Sequence, residues 1–218
     1  MIKWTDSDYH TLVQAAQDIG ARPMDLLLVL YSESGLDPKS SAKNKEGEIV
    51  ARGLNQITEA NYTEMKMSKS EWESISSMTP SENLYYVVKS LKSAVGNMSF
   101  PDAGTLYQVN FAPARLIDSG SGDDVVLYSS PSKYYYANEG LDLDKKGYIN
   151  VRDMRNILKK RSSEPAFLFH YNRLKELYPA IEPYVIGFDE DYRRSKFPIS
   201  GIIAILAIAG GMFWYWRK

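Results

Sequence analysis

The sequence predicts a mainly α-helical domain followed by a C-terminal transmembrane helix. The chain has 218 residues, 44 % of them hydrophobic, which is enough for one sizeable globular domain. Signals for the start and the end of a helix recur along the chain up to about Leu177. Residues 197–216 then run without a charged side chain, over about the length that crosses a bilayer as a helix.

The predicted helices of the N-terminal part begin at capping residues or prolines, and several of them end at a glycine. Ser70 with Glu73 is predicted to cap a further short helix near Trp72. Residues 37–50 and 118–124 are polar and contain several Ser and Gly, which indicates loops. The longer helices are predicted from Thr5 or Asp6 to about Ile19, from Pro23 to Gly35, from Thr79 to about Val95 and from about Asp102 to Asn110.

Two more helices are predicted over residues 150–160 and 163–177. Apolar residues of the second recur at helical spacing, which indicates a face packed in a core. Pro179 and Pro183 interrupt the pattern, so the residues after 178 are interpreted as a linker. We therefore expect a main domain over 1–140, a helical extension over 141–178, a linker over 179–196 and the transmembrane helix over 197–216.

Composition excludes several classes of function. The net charge of −1 gives no electrostatic reason to expect nucleic acid as a partner. The chain has no cysteine, which excludes disulfides, thiol chemistry and cysteine zinc sites. His10 and His170 lie far apart in sequence without the spacing of metal ligands, so we expect no metal site and no cofactor.

The C-terminal segment has further features of a membrane anchor. The aromatic residues 213–216 form a belt at one end of it, and basic residues flank both ends. Residues 1–10 lack the charged and apolar regions of a secretory signal. Only Arg217 and Lys218 follow the apolar segment, so an orientation that keeps the domain in the cytoplasm would move just two residues across the membrane.

Glu33 stands at the end of an apolar helix, in the stretch VLYSESGLDP. Negative charge is disfavoured at a helix C-terminus because the helix dipole is negative there. Leu27, Leu30 and Tyr31 can surround the carboxyl with apolar groups, and burial of this kind raises a carboxyl pKa. A carboxylic acid with a raised pKa can donate a proton at neutral pH, so Glu33 is a candidate general acid. The alternative is a solvated residue at a helix end.

Two later segments complete a pattern with Glu33 and Ser34. The first is Gly-Leu-Asn-Gln-Ile at 53–57, and the second contains Tyr107 and Asn110. In this order and spacing the three segments resemble the soluble lytic transglycosylase family, relatives of goose-type lysozyme, over about residues 6–136. The resemblance implies a mainly α, lysozyme-like domain that acts on the glycan strands of peptidoglycan.

The resemblance also implies roles for individual residues. Glu33 would act first as the acid and then as the base, with no second carboxylate. This chain departs from the family at Asn55, where Met is usual, and in the separation of Tyr107 from Asn110, which are usually an adjacent Tyr-Asn pair. The candidate substrate-binding residues are Ser34, Asn55, Gln56, Tyr107, Asn110 and Tyr135. Ser34 stands beside the acid, and Asn55 and Gln56 stand in the turn. Tyr107 and Asn110 would hold the acetamido group or orient Glu33, and Tyr135 could stack on a sugar or belong to a packing cluster.

Residues 142–153 resemble a calcium-binding EF-hand loop. Acids stand at the first and third positions, Gly147 at the sixth and an asparagine at the ninth. Lys146 replaces the ligand at the fifth position, and Asp153 replaces the bidentate glutamate at the twelfth. Because a lysine would repel the cation, we interpret the segment as a loop that keeps the turn geometry and has lost the metal.

Together these features predict a membrane-anchored peptidoglycan lytic transglycosylase. An enzyme without a secretory signal, held on a membrane anchor, suits a bacteriophage whose virion contains a lipid membrane and which must cross the cell wall at entry. Its expected partners are peptidoglycan glycan strands, the lipid membrane through the C-terminal helix, and other virion proteins. The alternatives are a hydrolytic muramidase of the bacterial envelope with its anchor in the inner membrane, and a virion membrane protein that binds peptidoglycan without cutting it.

Overall fold

The structure is a computed structural model that describes residues 3–187, and these form one compact unit. Ten α-helices and five short strands are assigned in this part of the chain. The helices are α1 Asp6–Asp18, α2 Pro23–Ser34, α3 Glu59–Glu64, α4 Lys69–Ser74, α5 Pro80–Val95, α6 Ala103–Phe111, α7 Pro113–Ser119, α8 Lys133–Ala137, α9 Val151–Arg161 and α10 Pro165–Leu177. The strands are β1 Ser41–Lys43, β2 Ile49–Arg52, β3 Ile57–Thr58, β4 Val126–Ser129 and β5 Tyr148–Asn150.

Helix α2 is the centre of the hydrophobic core. It begins with Pro23, whose missing N–H is not needed in the first turn, and ends at Gly35 in the left-handed conformation. All eight residues from Met24 to Tyr31 are buried. A helix that is apolar on every side must be surrounded, and α2 packs against α1, α6, α9 and α10.

Several other predicted helices begin at side-chain caps. Thr5 and Thr79 each form a capping box with the acid three residues later, as the sequence indicates for both helix starts. The cap of α4 differs from the prediction, because Ser68 with Glu71 forms the box rather than Ser70 with Glu73. Both pairs have the same spacing, and only the first lies where the chain enters the helix.

A three-stranded antiparallel sheet follows α2, in the order β1-β2-β3. Strand β1 and the start of β2 lie in segment 37–50, for which the sequence predicted only a loop. Ile57 of β3 belongs to a small second apolar cluster with Met65, Met67, Trp72 and Ile75. The Trp72 indole donates a hydrogen bond to the carbonyl of Ile57 at 2.7 Å, which ties the sheet to α4.

Strands β4 and β5 form a second antiparallel pair, which joins segments on either side of residue 140. Helix α9 follows β5 and packs against α6 and α2. Val185, in the segment predicted as a linker, donates its N–H to Asp25 of α2 at 2.8 Å and accepts the N–H of Ala103 at 2.7 Å. The residues after 140 therefore contribute directly to the core around α2 and α6.

The predicted fold class, a mainly α lysozyme-like domain plus a transmembrane helix, is corrected by these observations. Helices do predominate, but two small sheets accompany them. Within residues 3–187 no helix has the length and apolar character needed to cross a membrane. The predicted span, 197–216, lies outside the residues that the structure describes.

Candidate active site

Glu33 lies in the last turn of α2, where the buried helix reaches the surface of the domain. The eight residues before Ser32 are buried, whereas Glu33 itself keeps partial contact with solvent. Gly35 ends the helix with a positive φ of 64° and donates its N–H to the carbonyl of Tyr31 at 2.8 Å. A core helix that stops at this point presents a carboxyl group at the edge of the apolar interior.

Tyr107 and Asn110 of α6 meet this carboxyl. Residues three apart lie on the same face of a helix, and α6 packs against α2, so both side chains are directed toward the end of α2. Each forms a side-chain hydrogen bond with Glu33. Tyr107 is almost fully buried, at 6 % exposure, and Asn110 is partly exposed.

The environment of Glu33 favours its protonated form. Burial raises the pKa of the Glu33 carboxyl from 4.5 to about 7, and the hydrogen bonds from Asn110 and Tyr107 offset only part of this effect. The negative end of the α2 dipole acts in the same direction as burial. Burial and the nearby Glu33 also raise the pKa of Tyr107, which keeps its hydroxyl protonated and able to donate. Glu33 can therefore hold or release a proton near neutral pH.

The turn at 53–56 is the second part of the predicted site, and its backbone conformation is constrained by close neighbours. Gly53 has φ +77°, and a Cβ placed on it would lie 2.3 Å from Oδ1 of Asn83 and 2.5 Å from Cγ2 of Ile75. Gln56 has φ +46°, an unusual conformation for a residue with a side chain, and its amide donates to the carbonyl of Gly53 at 2.8 Å. Gln56 therefore closes the turn, in addition to any contact with a sugar.

Asn83 of α5 holds the same turn and was not among the residues that the sequence singled out. It is 2 % exposed, accepts the N–H of Leu54 at 3.1 Å and donates to the carbonyl of Ile75 at 3.0 Å. An asparagine on the mostly apolar buried face of α5 was the available signal, because a buried amide must find partners.

Asn55, the residue that departs from the family pattern, is buried at 3 % exposure. Neither its amide nitrogen nor its amide oxygen has a hydrogen-bond partner among residues 3–187. Buried polar groups are nearly always paired with protein, water or ligand. Asn55 is thus an exception to this rule among the described residues.

Ser34 and Tyr135 make contacts that differ from those expected of them. The Ser34 hydroxyl donates to the carbonyl of Leu30, four residues earlier in α2, at 3.0 Å. The Tyr135 hydroxyl donates to Asp142 at 2.9 Å, which ties its ring to the loop 142–153. The structure thus brings Glu33, Tyr107 and Asn110 together and places Asn55 and Gln56 in one turn. The hydroxyl groups of Ser34 and Tyr135 instead bind Leu30 and Asp142.

Between residues 3 and 187 there is no group of three or more His, Cys, Asp or Glu side chains placed to hold a metal ion. Comparison with family models, curated proteins and solved structures found no match for this chain.

Proposed function

We propose that this protein is a peptidoglycan lytic transglycosylase that cleaves the glycosidic bond between N-acetylmuramic acid and N-acetylglucosamine. The observation that carries the proposal is the Glu33 carboxyl, with a pKa of about 7 and with Tyr107 and Asn110 as its hydrogen-bond partners. The order of the three sequence segments, which resembles that of the soluble lytic transglycosylases, supports the same assignment.

In the proposed first step Glu33 is the general acid. Its proton passes to the glycosidic oxygen, the bond from that oxygen to C1 of the muramic acid residue breaks, and the leaving sugar departs as an alcohol. A pKa near the working pH is what makes a carboxylic acid efficient in this role. The acetamido oxygen of the substrate bonds to C1 in its place, and an amide side chain such as that of Asn110 is suited to orient this group.

In the proposed second step Glu33, now a carboxylate, is the general base. It takes the proton of the substrate's own 6-hydroxyl, whose oxygen bonds to C1 and displaces the acetamido oxygen. The product is a 1,6-anhydro sugar, and Glu33 is again protonated. Tyr107 donates to the carboxylate formed between the two steps, and the same hydrogen bond holds the group in position.

The surroundings of the acid support transglycosylation rather than hydrolysis as the proposed reaction. Most glycosidases use a second carboxylate, roughly 5 to 10 Å from the first. A second carboxylate close to Glu33 would raise its pKa, whereas the pKa shift of Glu33 arises from burial, which raises it, and from Asn110 and Tyr107, which lower it. A single carboxyl suits a reaction in which the substrate supplies both the stabilising group and the nucleophile.

The test compares the full-length protein with Glu33→Gln on purified peptidoglycan, with released fragments identified by mass spectrometry. Glu46→Gln is the matched control, because Glu46 is an exposed glutamate in the turn between β1 and β2. We expect anhydro-muropeptides from the native protein and from Glu46→Gln, and none from Glu33→Gln.

Other outcomes would contradict the proposal in distinguishable ways. Fragments with reducing ends would identify a hydrolase. Peptidoglycan that is bound but not cut would identify a binding protein. Equal activity of Glu33→Gln and the native protein would remove Glu33 from the chemistry.

A further inference from the structure

The loop 142–153 keeps the backbone form of an EF-hand loop. The turn is made by Gly147, at the sixth position, with φ +82°. Residues 148–150 then form β5, which pairs with β4. Asn150 caps α9 in a capping box with Asp153, so the twelfth position lies in the first turn of the exit helix. The loop thus has the turn, short strand and helix start that bring the first and twelfth positions toward one centre.

The two acids at these positions are buried and held by the backbone. Asp142 is 4 % exposed and Asp153 is 3 % exposed. The Asp142 carboxylate accepts the N–H groups of Lys146 and Gly147 at 3.1 and 2.8 Å and the hydroxyl of Tyr135 at 2.9 Å. The Asp153 carboxylate accepts the N–H of Asn150 at 2.8 Å. Burying two carboxylates side by side is costly unless a positive charge lies close to both of them.

Lys146, at the fifth position, supplies that charge. Its ammonium nitrogen lies 2.5 Å from Oδ1 of Asp153 and 3.9 Å from Oδ1 of Asp142. The side chain is 21 % exposed, so the ion pair is largely shielded from water. The neighbouring Lys145 is exposed, which shows that the loop directs only one of its two lysines inward.

We propose that the Lys146 ammonium is the built-in cation of this loop and occupies the place that a calcium ion takes in an EF-hand. The carboxylates of the loop are paired with the loop's own lysine, Lys146, and the loop binds no divalent cation. Replacing Lys146 by the carboxylate that usually stands at the fifth position converts the loop into a calcium site.

The proposal explains how α9 can be fixed without a metal. Helix α9 starts inside this loop and packs against α6, the helix that carries Tyr107 and Asn110. An ordered loop therefore helps to hold α9 against α6 and α2, the two helices of the candidate active site. Burial would lower the pKa of the Lys146 ammonium, yet the hydrogen bond and charge of Asp153 raise that pKa above its ordinary value. The inference does not depend on glycan cleavage.

The test measures the thermal midpoint of the full-length protein in EDTA and in millimolar calcium chloride. Lys146→Asp restores the usual ligand, and Lys145→Asp is its matched control, with the same change of charge in the same loop. Lys145 has φ +54°, a conformation that Asp tolerates. We expect the midpoint of Lys146→Asp to fall by about 5 °C or more in EDTA and to recover in calcium. The native protein and Lys145→Asp should not respond to calcium.

A second variant covers the case in which Lys146→Asp does not fold at all. Lys146→Met keeps most of the side-chain volume and removes the charge, so its midpoint should fall by about 5 °C or more relative to Lys145→Met. A native protein that gains stability from calcium, a Lys146→Asp variant that folds and ignores calcium, or a Lys146→Met variant as stable as Lys145→Met would each overturn the proposal.

Discussion

The raised pKa of Glu33 makes a prediction about stability that is independent of any substrate. Between pH 4.5 and about 7 the folded protein holds a proton on Glu33 that the unfolded chain has lost. The free energy of unfolding must therefore fall as the pH rises through this window. Replacing Glu33 by Gln removes the ionisation and keeps an amide of the same shape, which can still pair with Tyr107 and Asn110.

The size of the effect follows from the pKa. A carboxyl whose pKa rises from 4.5 to about 7 on folding destabilises the ionised folded protein by about 3 kcal/mol. Because Glu33 keeps partial contact with solvent, we expect a smaller gain for Glu33→Gln, about 1–3 kcal/mol at about pH 8. At about pH 4 the carboxyl is protonated in both states, and the variant and the native protein should be nearly equally stable.

The measurement is urea unfolding of both proteins at a series of pH values, with Glu46→Gln as the control. The difference in the free energy of unfolding between Glu33→Gln and the native protein should grow with pH. The corresponding difference for Glu46→Gln, at an exposed position, should stay near zero. A Glu33→Gln difference that does not change with pH would show that folding leaves the carboxyl unperturbed. The reasoning that makes it a general acid at neutral pH would then be wrong.

Two further predictions concern the neighbours of the acid and the turn. Tyr107→Phe removes a hydrogen bond that lowers the pKa of Glu33. The pH above which the proposed peptidoglycan cleavage declines should therefore rise by about 1 pH unit, and an unchanged pH profile would contradict this. Gly53→Ala should cost about 2–4 kcal/mol in urea unfolding, because a Cβ at that position would lie 2.3 Å from Oδ1 of Asn83. Gly47→Ala has a similar positive φ but open space around it, so it should cost only about 1 kcal/mol; equal losses would refute the steric argument.

Most of the helices could be predicted because their signals are local. Thr5 and Thr79 each stand three residues before the acid that completes the capping box, and Pro23 stands at the first helical position. The same kind of signal was ambiguous around Trp72, where two Ser-x-x-Glu pairs overlap and the structure uses Ser68.

The strands could not be predicted in the same way. Strand β1 is three exposed residues, and β2 alternates only weakly between buried and exposed positions. Such segments become strands because they pair with a neighbour: β1 pairs with β2, and β2 pairs with β3. The pairing depends on the turn at 53–56, which Asn83 of the distant helix α5 holds in place. No pattern within segment 37–50 carries that information.

In the loop 142–153, too, the sequence predicted one part of the structure and only folding decided the rest. Its residue pattern was sufficient to predict the turn at Gly147 and the helix that begins after Asn150. The sequence also indicated that Lys146 is incompatible with a bound cation. Only the folded loop shows that the lysine reaches Asp153 at 2.5 Å and so becomes the counter-charge of the buried acids.

At the candidate active site, the sequence by itself determined which residues share a helix face and where α2 ends. Tyr107 and Asn110 are neighbours because an α-helix repeats every 3.6 residues, and Glu33 reaches the surface because Gly35 ends the helix. The tertiary structure alone decided that α6 lies against the end of α2 and that the carboxyl is desolvated there. Periodicity and capping act within a few residues of the chain. A pKa depends on every group that displaces water around the carboxyl, and those groups come together only when distant helices pack.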